Sequence, residues 1–483
     1  MKKYIFTLLA VAAVFVSCGK DFLTEEPKLA QSDVLTLSTF KGLDLSTAGA
    51  YGPIASTNWY GAHFILDFEM GTGNAKRWGV QFEDYESGRY KDEYSINYTA
   101  NSTSPLWGQA YYVILSANSV IEHLDDAGIE ATEQEKNNLK AECLFLRAFS
   151  HFDLVRVYAK PFGATADNSH YGVPYVTKVD SEAKPERGTV ATDYEKIIED
   201  LTEAEKIIDP DYVRAGVKDA KASVTLEAIQ ALLARVYLYS KDYKNAAAYA
   251  TKVIDSGKFE LWKADDIKDG KIYNIDVPGE KSEVIFEIYN NTSQSYGTGN
   301  ENVWGMTSYN AYGDCGVSTD LYDLYEDGDV RKTLISPDKD GNALFTLKYA
   351  GKGLGSIDAN NVIILRLAEM YLIRAEAAVA GNITSADWSA GSDLAELAAH
   401  RGATAATATN EGIFLERRKE LAWEGHYWFD LARTGRPMTR TDISGTVPTE
   451  LPVGDNRWVK PIPAREFTVN PNLKPQNDGY SEQ

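Results

Sequence analysis

Apolar positions recur along much of the chain at a spacing of three and four residues, the period of a helix with one buried face. Residues 107–126 carry Trp107, Ala110, Tyr111, Ile114, Leu115, Ala117, Val120, Ile121 and Leu124 in this register. The pattern predicts a second, longer helix over 134–159. A third is expected to start at Thr192-Asp193 and run to about Ile208, with Glu195 and Glu199 near its positive end. Residues 223–240 and 244–256 read as two helices around the short turn Lys241-Asp242-Tyr243, the second stopping at Gly257. Further helices are predicted at 362–380, 388–401 and 412–433. Short strands are predicted at 283–289, and at 330–336 paired with 343–349.

The eight helices read as four antiparallel pairs. Ala234 to Tyr243, with Ala246, Ala247, Ala250 and Ile254, looks like a tetratricopeptide unit. Its small residues let two helices approach closely. Ala368, Tyr371, Ala375, Glu376 and Ala378 partly echo it. Long insertions separate the repeats, so the fold class is mainly α: four tetratricopeptide-like hairpins as scaffold, with loop-rich inserts and a few short strands. Helical repeats are expected over about 107–256 and 362–433, and inserts over about 57–105 and 265–360, all within one domain spanning 36–483.

The inserts gather the aromatic residues. Trp59, Tyr60, Trp78, Tyr85, Tyr90, Tyr94, Tyr98 and Trp107 fall between 57 and 112. Tyr289, Tyr296, Trp304, Tyr309, Tyr312, Tyr322 and Tyr325 fall between 289 and 325. Loops of such length are uncommon unless functional. Sugar rings present flat C–H faces that pack on Trp and Tyr, while their hydroxyls need a few polar partners. Candidate ligand contacts are therefore Trp59, Trp78, Tyr296, Trp304, Tyr309 and Tyr312, with Asp67, Glu69, Asn74, Arg77 and Asn300 as polar neighbours. Trp304 and Trp78 are the leading pair, because glycine-rich flanks can leave an indole exposed.

Charge narrows the partners. The 483-residue chain carries a formal charge of −21. Residues 1–17 contribute only Lys2 and Lys3, so the charge without them is −23. With no basic patch along the chain, nucleic-acid binding is not expected. The N-terminus reads as a secretory signal peptide, 1–17: Met1-Lys2-Lys3, then an apolar run from Tyr4 to Val16 too short to span a bilayer. Phe15-Val16-Ser17-Cys18-Gly19 resembles a bacterial lipobox, which implies cleavage before Cys18 and lipid on its thiol and new amino group. Residues 18–35 then form a lipidated tether. Of the other cysteines, Cys143 sits in an apolar helical pattern and Cys315 in a loop, with no spacing that argues for a disulfide or a zinc site.

Several motifs resolve to bland readings. Glu416, Glu420 and Glu424 share a helix face beside Arg417 and Arg418, the pattern of a buried ion network between helices. Glu142, Arg147, Arg366 and Glu376 are expected in similar networks. Asp338-Lys339-Asp340-Gly341-Asn342 opens like a calcium loop, but Ala343 and Tyr349 stand where its glycine and glutamate are needed, so a hairpin turn is expected. Gly71-Thr72-Gly73, Gly297-Thr298-Gly299 and Gly351-Lys352 lack the rest of any nucleotide-binding motif. No metal, cofactor or catalytic residue is predicted.

Six blocks in order resemble the SusD/RagB-like lipoproteins of Bacteroidetes over nearly the whole chain. They are Cys18 to Leu23; Glu142 to Ala148 with Phe152, Leu154, Tyr158 and Gly172-Val173-Pro174; Ser318, Leu321, Tyr325, Asp329 and Arg331; Arg366, Ala368, Glu369, Leu372, Ala375 and Glu376; Glu416 to Arg418 with Glu420, Leu421, Glu424, Gly425, Asp430, Leu431 and Arg433; and Pro461-Ile462-Pro463 with Glu466, Asn470-Pro471, Leu473, Gln476-Asn477 and Gly479-Tyr480. The resemblance implies a lipid-anchored, cell-surface protein of the outer membrane. It implies four tetratricopeptide-like units, no catalytic activity, and a SusC-like TonB-dependent transporter as partner. Its ligand would be an oligomeric nutrient, an oligosaccharide or a peptide. The alternatives are a peptide-binding or purely structural cap and, as a minor reading, a surface glycoside hydrolase.

Overall fold

The computed structural model describes residues 36–78, 87–102, 105–217, 219–270, 282–289, 301–349 and 361–482. Among them the helices of eight or more residues are α1 (Phe40–Ala55), α2 (His63–Met70), α3 (Leu106–His123), α4 (Glu133–Tyr158), α5 (Val190–Ile207), α6 (Leu226–Tyr239), α7 (Tyr243–Asp255), α8 (Leu367–Ala380), α9 (Ala390–Arg401), α10 (Asn410–Glu420) and α11 (Tyr427–Thr434). The strands are short: β1 (Ala75–Arg77), β2 (Val284–Ile288), β3 (Cys315–Val317), β4 (Ile335–Pro337), β5 (Leu344–Thr346), β6 (Val362–Arg366), β7 (Met438–Thr439) and β8 (Glu450–Leu451).

The helix pair read as a repeat unit is present. Thr225 caps α6, its side-chain oxygen accepting from the Ala228 N–H, and Asp242 caps α7 in the same way through Asn245. Only Ser240 to Asp242 joins them, so the helices fold back on each other, and the fully buried Ala246 and Ala250 allow the close approach. The packing then propagates from helix to helix. α1 lies on α3, α3 on α4, α4 on α5, α5 on α6, α7 on α8, and α8 on α9 and α10.

Several boundaries differ from expectation. The third helix starts three residues early, because Thr189 is its cap and Thr192 completes the capping box. The helix expected at 362–380 is a strand followed by a helix. The β-branched run Val362-Ile363-Ile364 pairs antiparallel with β2, Val362 opposite Ile288, before α8 begins. The helix expected at 412–433 is broken between α10 and α11. Trp423 (φ 63°) and Gly425 (φ 75°) adopt the left-handed region there, which no helix continues through. The first part of the strand expected at 330–336 is a 3-10 turn, Val330–Leu334; only Ile335–Pro337 pairs with Leu344–Thr346. Helices α1 and α2 were not anticipated. The Asp338 segment is the hairpin turn: Asp338 N–H donates to the Ala343 carbonyl at 2.8 Å, and its side chain accepts from Asn342 N–H at 2.7 Å.

The three carboxylates are buried, but they do not share one helix: Glu416 and Glu420 lie on α10, and Glu424 lies in the turn after it. Glu420 meets Arg331, Arg366 and Arg401 at 2.6–2.8 Å; Glu424 meets Arg366 and Lys348; Glu416 meets Arg331. Arg417 turns away to Asp430, and Arg418 reaches Asn74. Glu142 pairs with Arg214, Arg147 with Asp200, and Glu376 with Arg433. Cys143 and Cys315 are buried free thiols, Cys315 lying in β3 rather than in a loop.

Candidate functional site

The two inserts meet in one antiparallel sheet of order β1-β3-β5-β4, with Ala75 opposite Val317 and Arg77 opposite Cys315. Two backbone bonds tie them further: Trp78 N–H donates to the Asp314 carbonyl at 2.9 Å, and Val303 N–H to the Gly61 carbonyl at 2.8 Å. Trp78 lies against Gly316, where an added Cβ would fall 2.2 Å from the indole. Glycine at 316 is what lets the ring settle on the sheet. Trp78 is half-buried, and Lys76 Nζ lies 4.7 Å from its ring centroid.

Beside it the segment after the short helix Val303–Thr307 presents two tyrosines. Tyr309 is 39% exposed, its ring 6.1 Å from that of Phe345 in β5. Tyr312 is half-buried and held by its N–H on the Gly305 carbonyl, with the Arg89 guanidinium 3.8 Å from its ring centroid. Arg89 donates to Glu301 at 3.1 Å and stands 3.9 Å from Asp314 Oδ2. Ser87 donates to the other Asp314 oxygen. Burial pushes the Asp314 carboxyl above its ordinary value. Burial works against the charge on Arg89, but the Glu301 carboxylate beside it outweighs this and holds the guanidinium above its usual value. Arg77 is buried and fastens the 87–89 loop from beneath, donating to the backbone carbonyls of Arg89 and Ser87.

Of the candidates read from the sequence, Arg77, Trp78, Tyr309 and Tyr312 are thus gathered on this sheet and its edge. Arg77 serves as a support there, with its side chain buried. Four others are core. Trp59 is wholly buried, stacked on Phe149 and Tyr60 and donating to Asp153 at 2.9 Å. Asp67 is wholly buried between Lys460 (2.5 Å) and His63 (2.9 Å). Burial alone would raise its carboxyl, but these two partners bring it down to about 2. Glu69 accepts from the Asn74 amide at 3.0 Å and from the Trp423 N–H at 2.8 Å, and burial pushes its carboxyl up to about 7. Asn74 also accepts from Arg418.

Trp304 corrects the expectation of an exposed indole. It is only 6% exposed, because Asn302 caps the turn of helix that carries it and directs it into the core. Tyr296, Asn300, Cys18 and the glycine motifs at 297–299 and 351–352 lie outside the described residues. Arg89, Glu301, Ser87 and Asp314 were not singled out from the sequence. Their only signal there is position: Arg89 precedes Tyr90, Glu301 follows Asn300, and Asp314 stands two residues after Tyr312.

A mainly helical repeat scaffold, with two inserts joined in one sheet that displays aromatic rings beside charged groups, defines a binding protein of the helical-repeat class. Comparison with known proteins gives the family. A family model described as "Starch-binding associating with outer membrane" matches residues 21–238, and one described as the SusD family matches 343–480. The chain belongs to the SusD/RagB-like family. It is 26% identical to SusD-like protein P2 of Formosa agariphila over 99% of this chain and 100% of that one. A solved SusD superfamily protein from Bacteroides vulgatus is 27% identical with a TM-score of 0.80, covering 92% of this chain and 99% of that one. One from Bacteroides thetaiotaomicron is 26% identical with the same TM-score, covering 91% and 99%. The surface glycan-binding protein A of Bacteroides fluxus shares the fold at 22% identity, with a TM-score of 0.72 over 93% of this chain and 100% of that one.

Proposed function

We propose that this protein is a lipid-anchored protein of the outer-membrane surface that binds an oligomeric glycan and passes it to a SusC-like TonB-dependent transporter. Residues 1–17 would be its signal peptide and Cys18 its lipid attachment site. The observation that carries the ligand class is the grouping of Trp78, Tyr309 and Tyr312 with Arg89, Glu301 and Asp314 on the joined inserts. Flat aromatic faces beside hydrogen-bonding groups suit a pyranose, which is apolar on its faces and polar at its rim. The family description as starch-binding, and the glycan named for the Bacteroides fluxus protein, favour sugars over peptides. Glu416, Glu420 and Glu424 are engaged with buried arginines and a buried lysine, an arrangement that serves packing. Among the described residues no helix is long and apolar enough to cross a membrane.

The test is a glycan array probed with the mature chain, with a peptide library and a turnover assay on the same sugars run alongside. Binding to a glycan without cleavage, weakened in Tyr309→Ala, is expected. Binding to peptides alone, or release of cleaved sugar, would overturn the reading. Co-purification of the Cys18-lipidated protein with a TonB-dependent transporter from detergent-solubilised outer membrane tests the second half. Repeated recovery of the lipoprotein alone, under conditions that preserve outer-membrane complexes, would count against it.

A further inference from the structure

We infer that Arg89 is a movable cover on the Tyr312 ring, which a bound sugar displaces onto Asp314. The inference rests on the glycan reading of this site. Its Cζ sits 3.8 Å from the ring centroid, the separation at which a planar group stacks, so the guanidinium occupies a face that a pyranose would use. Two features make the position provisional. The first is what holds it there: the partner is Glu301, whose side chain is 48% exposed, and the Arg89 side chain is itself 34% exposed. An ion pair and a cation–ring contact in such surroundings are each weak. The second is where else it can go. Asp314 is buried and its Oδ2 has no hydrogen-bond partner among the described residues, yet it faces Arg89 Nη1 at 3.9 Å. A buried carboxylate oxygen without a donor is costly. A shift of the guanidinium by about an ångström brings the two within hydrogen-bond distance.

The backbone is arranged for a side-chain movement alone. Arg77 holds the carbonyls of Arg89 and Ser87 from below, while Ser87 fixes the other oxygen of Asp314 and so keeps Oδ2 turned toward Arg89. Glu301, freed when Arg89 leaves, stays at the exposed rim as an acceptor for sugar hydroxyls. Displacement is a step that neutral glycans require. An anionic sugar would bind the guanidinium where it stands and would have no need to displace it.

Tetranitromethane, which nitrates accessible tyrosine rings, reads the cover without any ligand. In the full mature chain, peptide mass spectrometry should find Tyr312 nitrated severalfold faster in Arg89→Ala than in the parent, with Tyr309 unchanged. Equal rates at Tyr312 would overturn the proposal. The second arm uses the neutral oligosaccharide bound most tightly on the array. Arg89→Ala should bind it severalfold more tightly, because the two weak contacts, less what Asp314 returns, no longer have to be broken. Asp314→Asn, which keeps the shape but loses the charge that receives Arg89, should bind it more weakly. Looser binding by Arg89→Ala would make Arg89 a direct sugar contact and overturn the displacement. Absence of any sugar binding in the parent and in Arg89→Ala would defeat the glycan reading and with it the displacement step, while the nitration rates still decide whether Arg89 covers Tyr312.

Discussion

Two arginine–glutamate pairs in this protein have nearly the same chemistry and opposite surroundings. Arg366 meets Glu420 at 2.6 Å with both side chains at most 2% exposed, inside a cluster with Arg331, Arg401, Glu283 and Glu424. Arg89 meets Glu301 at 3.1 Å on the rim of the joined inserts. The first pair cannot let go, because each partner would be left charged in a low-dielectric interior. The second can, because water replaces whatever is lost. Fixity of the scaffold and adaptability of the site thus come from placing one interaction in two environments.

The sharpest way to break this comparison is Glu420→Ala against Glu301→Ala. Removing Glu420 takes a shared carboxylate from three buried guanidinium groups, which keep only their other carboxylate partners, and should cost about 3–5 kcal/mol in urea unfolding. Removing Glu301 should cost less than ~1 kcal/mol. Similar losses would mean that burial does not separate the two pairs. The aromatic residues divide in the same way. Trp304→Ala should lower stability by about 3–5 kcal/mol through the cavity it leaves.

The third prediction uses pH. The folded Glu69 carboxyl holds its proton up to about 7, whereas in the unfolded chain it lets go near 4.5. Between those values the folded state binds more protons, so its contribution to stability falls as pH rises through this window, by up to about 3 kcal/mol, and levels off above it. Asp67 works in a different window. Its folded value near 2 lies below the ordinary 3.8, so its contribution is present above 3.8 and is lost as pH falls through 2. Glu69→Gln should flatten the slope of melting temperature between pH 5 and 7 and leave the acid limb in place. An unchanged slope would show that Glu69 is not its source. The smallest effect on stability belongs to Tyr309→Ala, within ~0.5 kcal/mol, with a loss of glycan affinity of up to about tenfold. A large drop in melting temperature would move Tyr309 from the site to the core.

Much of the scaffold was legible because helices with one buried face write their period into the sequence, as α6 and α7 do. What was hidden has physical causes. Helix α1 contains Gly42, Ser46, Thr47, Gly49, Gly52 and Pro53, residues of poor intrinsic helix propensity, and gains its helix from packing on α3. The run Val362-Ile363-Ile364-Leu365 is apolar without a period, so only its β2 partner decides that it is a strand. The left-handed Trp423 has no local signal, since Glu69 and Tyr349 hold its N–H and carbonyl from distant parts of the chain. At the site, composition located the inserts but not the direction of their rings. Glycine-flanked Trp304 turns inward and glycine-flanked Trp78 stays half-exposed because of a cap at Asn302 and a floor at Gly316, both tertiary facts.

Residues 460–477 reach back to elements in the first half of the chain. Lys460 N–H donates to the Val157 carbonyl and its ammonium to Asp67; Asn477 donates to the carbonyls of Tyr158 and Lys460; Arg187 donates to Asn477 and to the Pro475 carbonyl. Asp67, beyond its local partner His63, and the Tyr158 carbonyl are met by groups 393 and 319 residues further along the chain. Contacts of such sequence separation form late in folding, so α2 and the end of α4 are completed only when this distant segment docks. The segment 460–477 thus acts as a latch: until it docks, Asp67 lacks the ammonium that neutralises it.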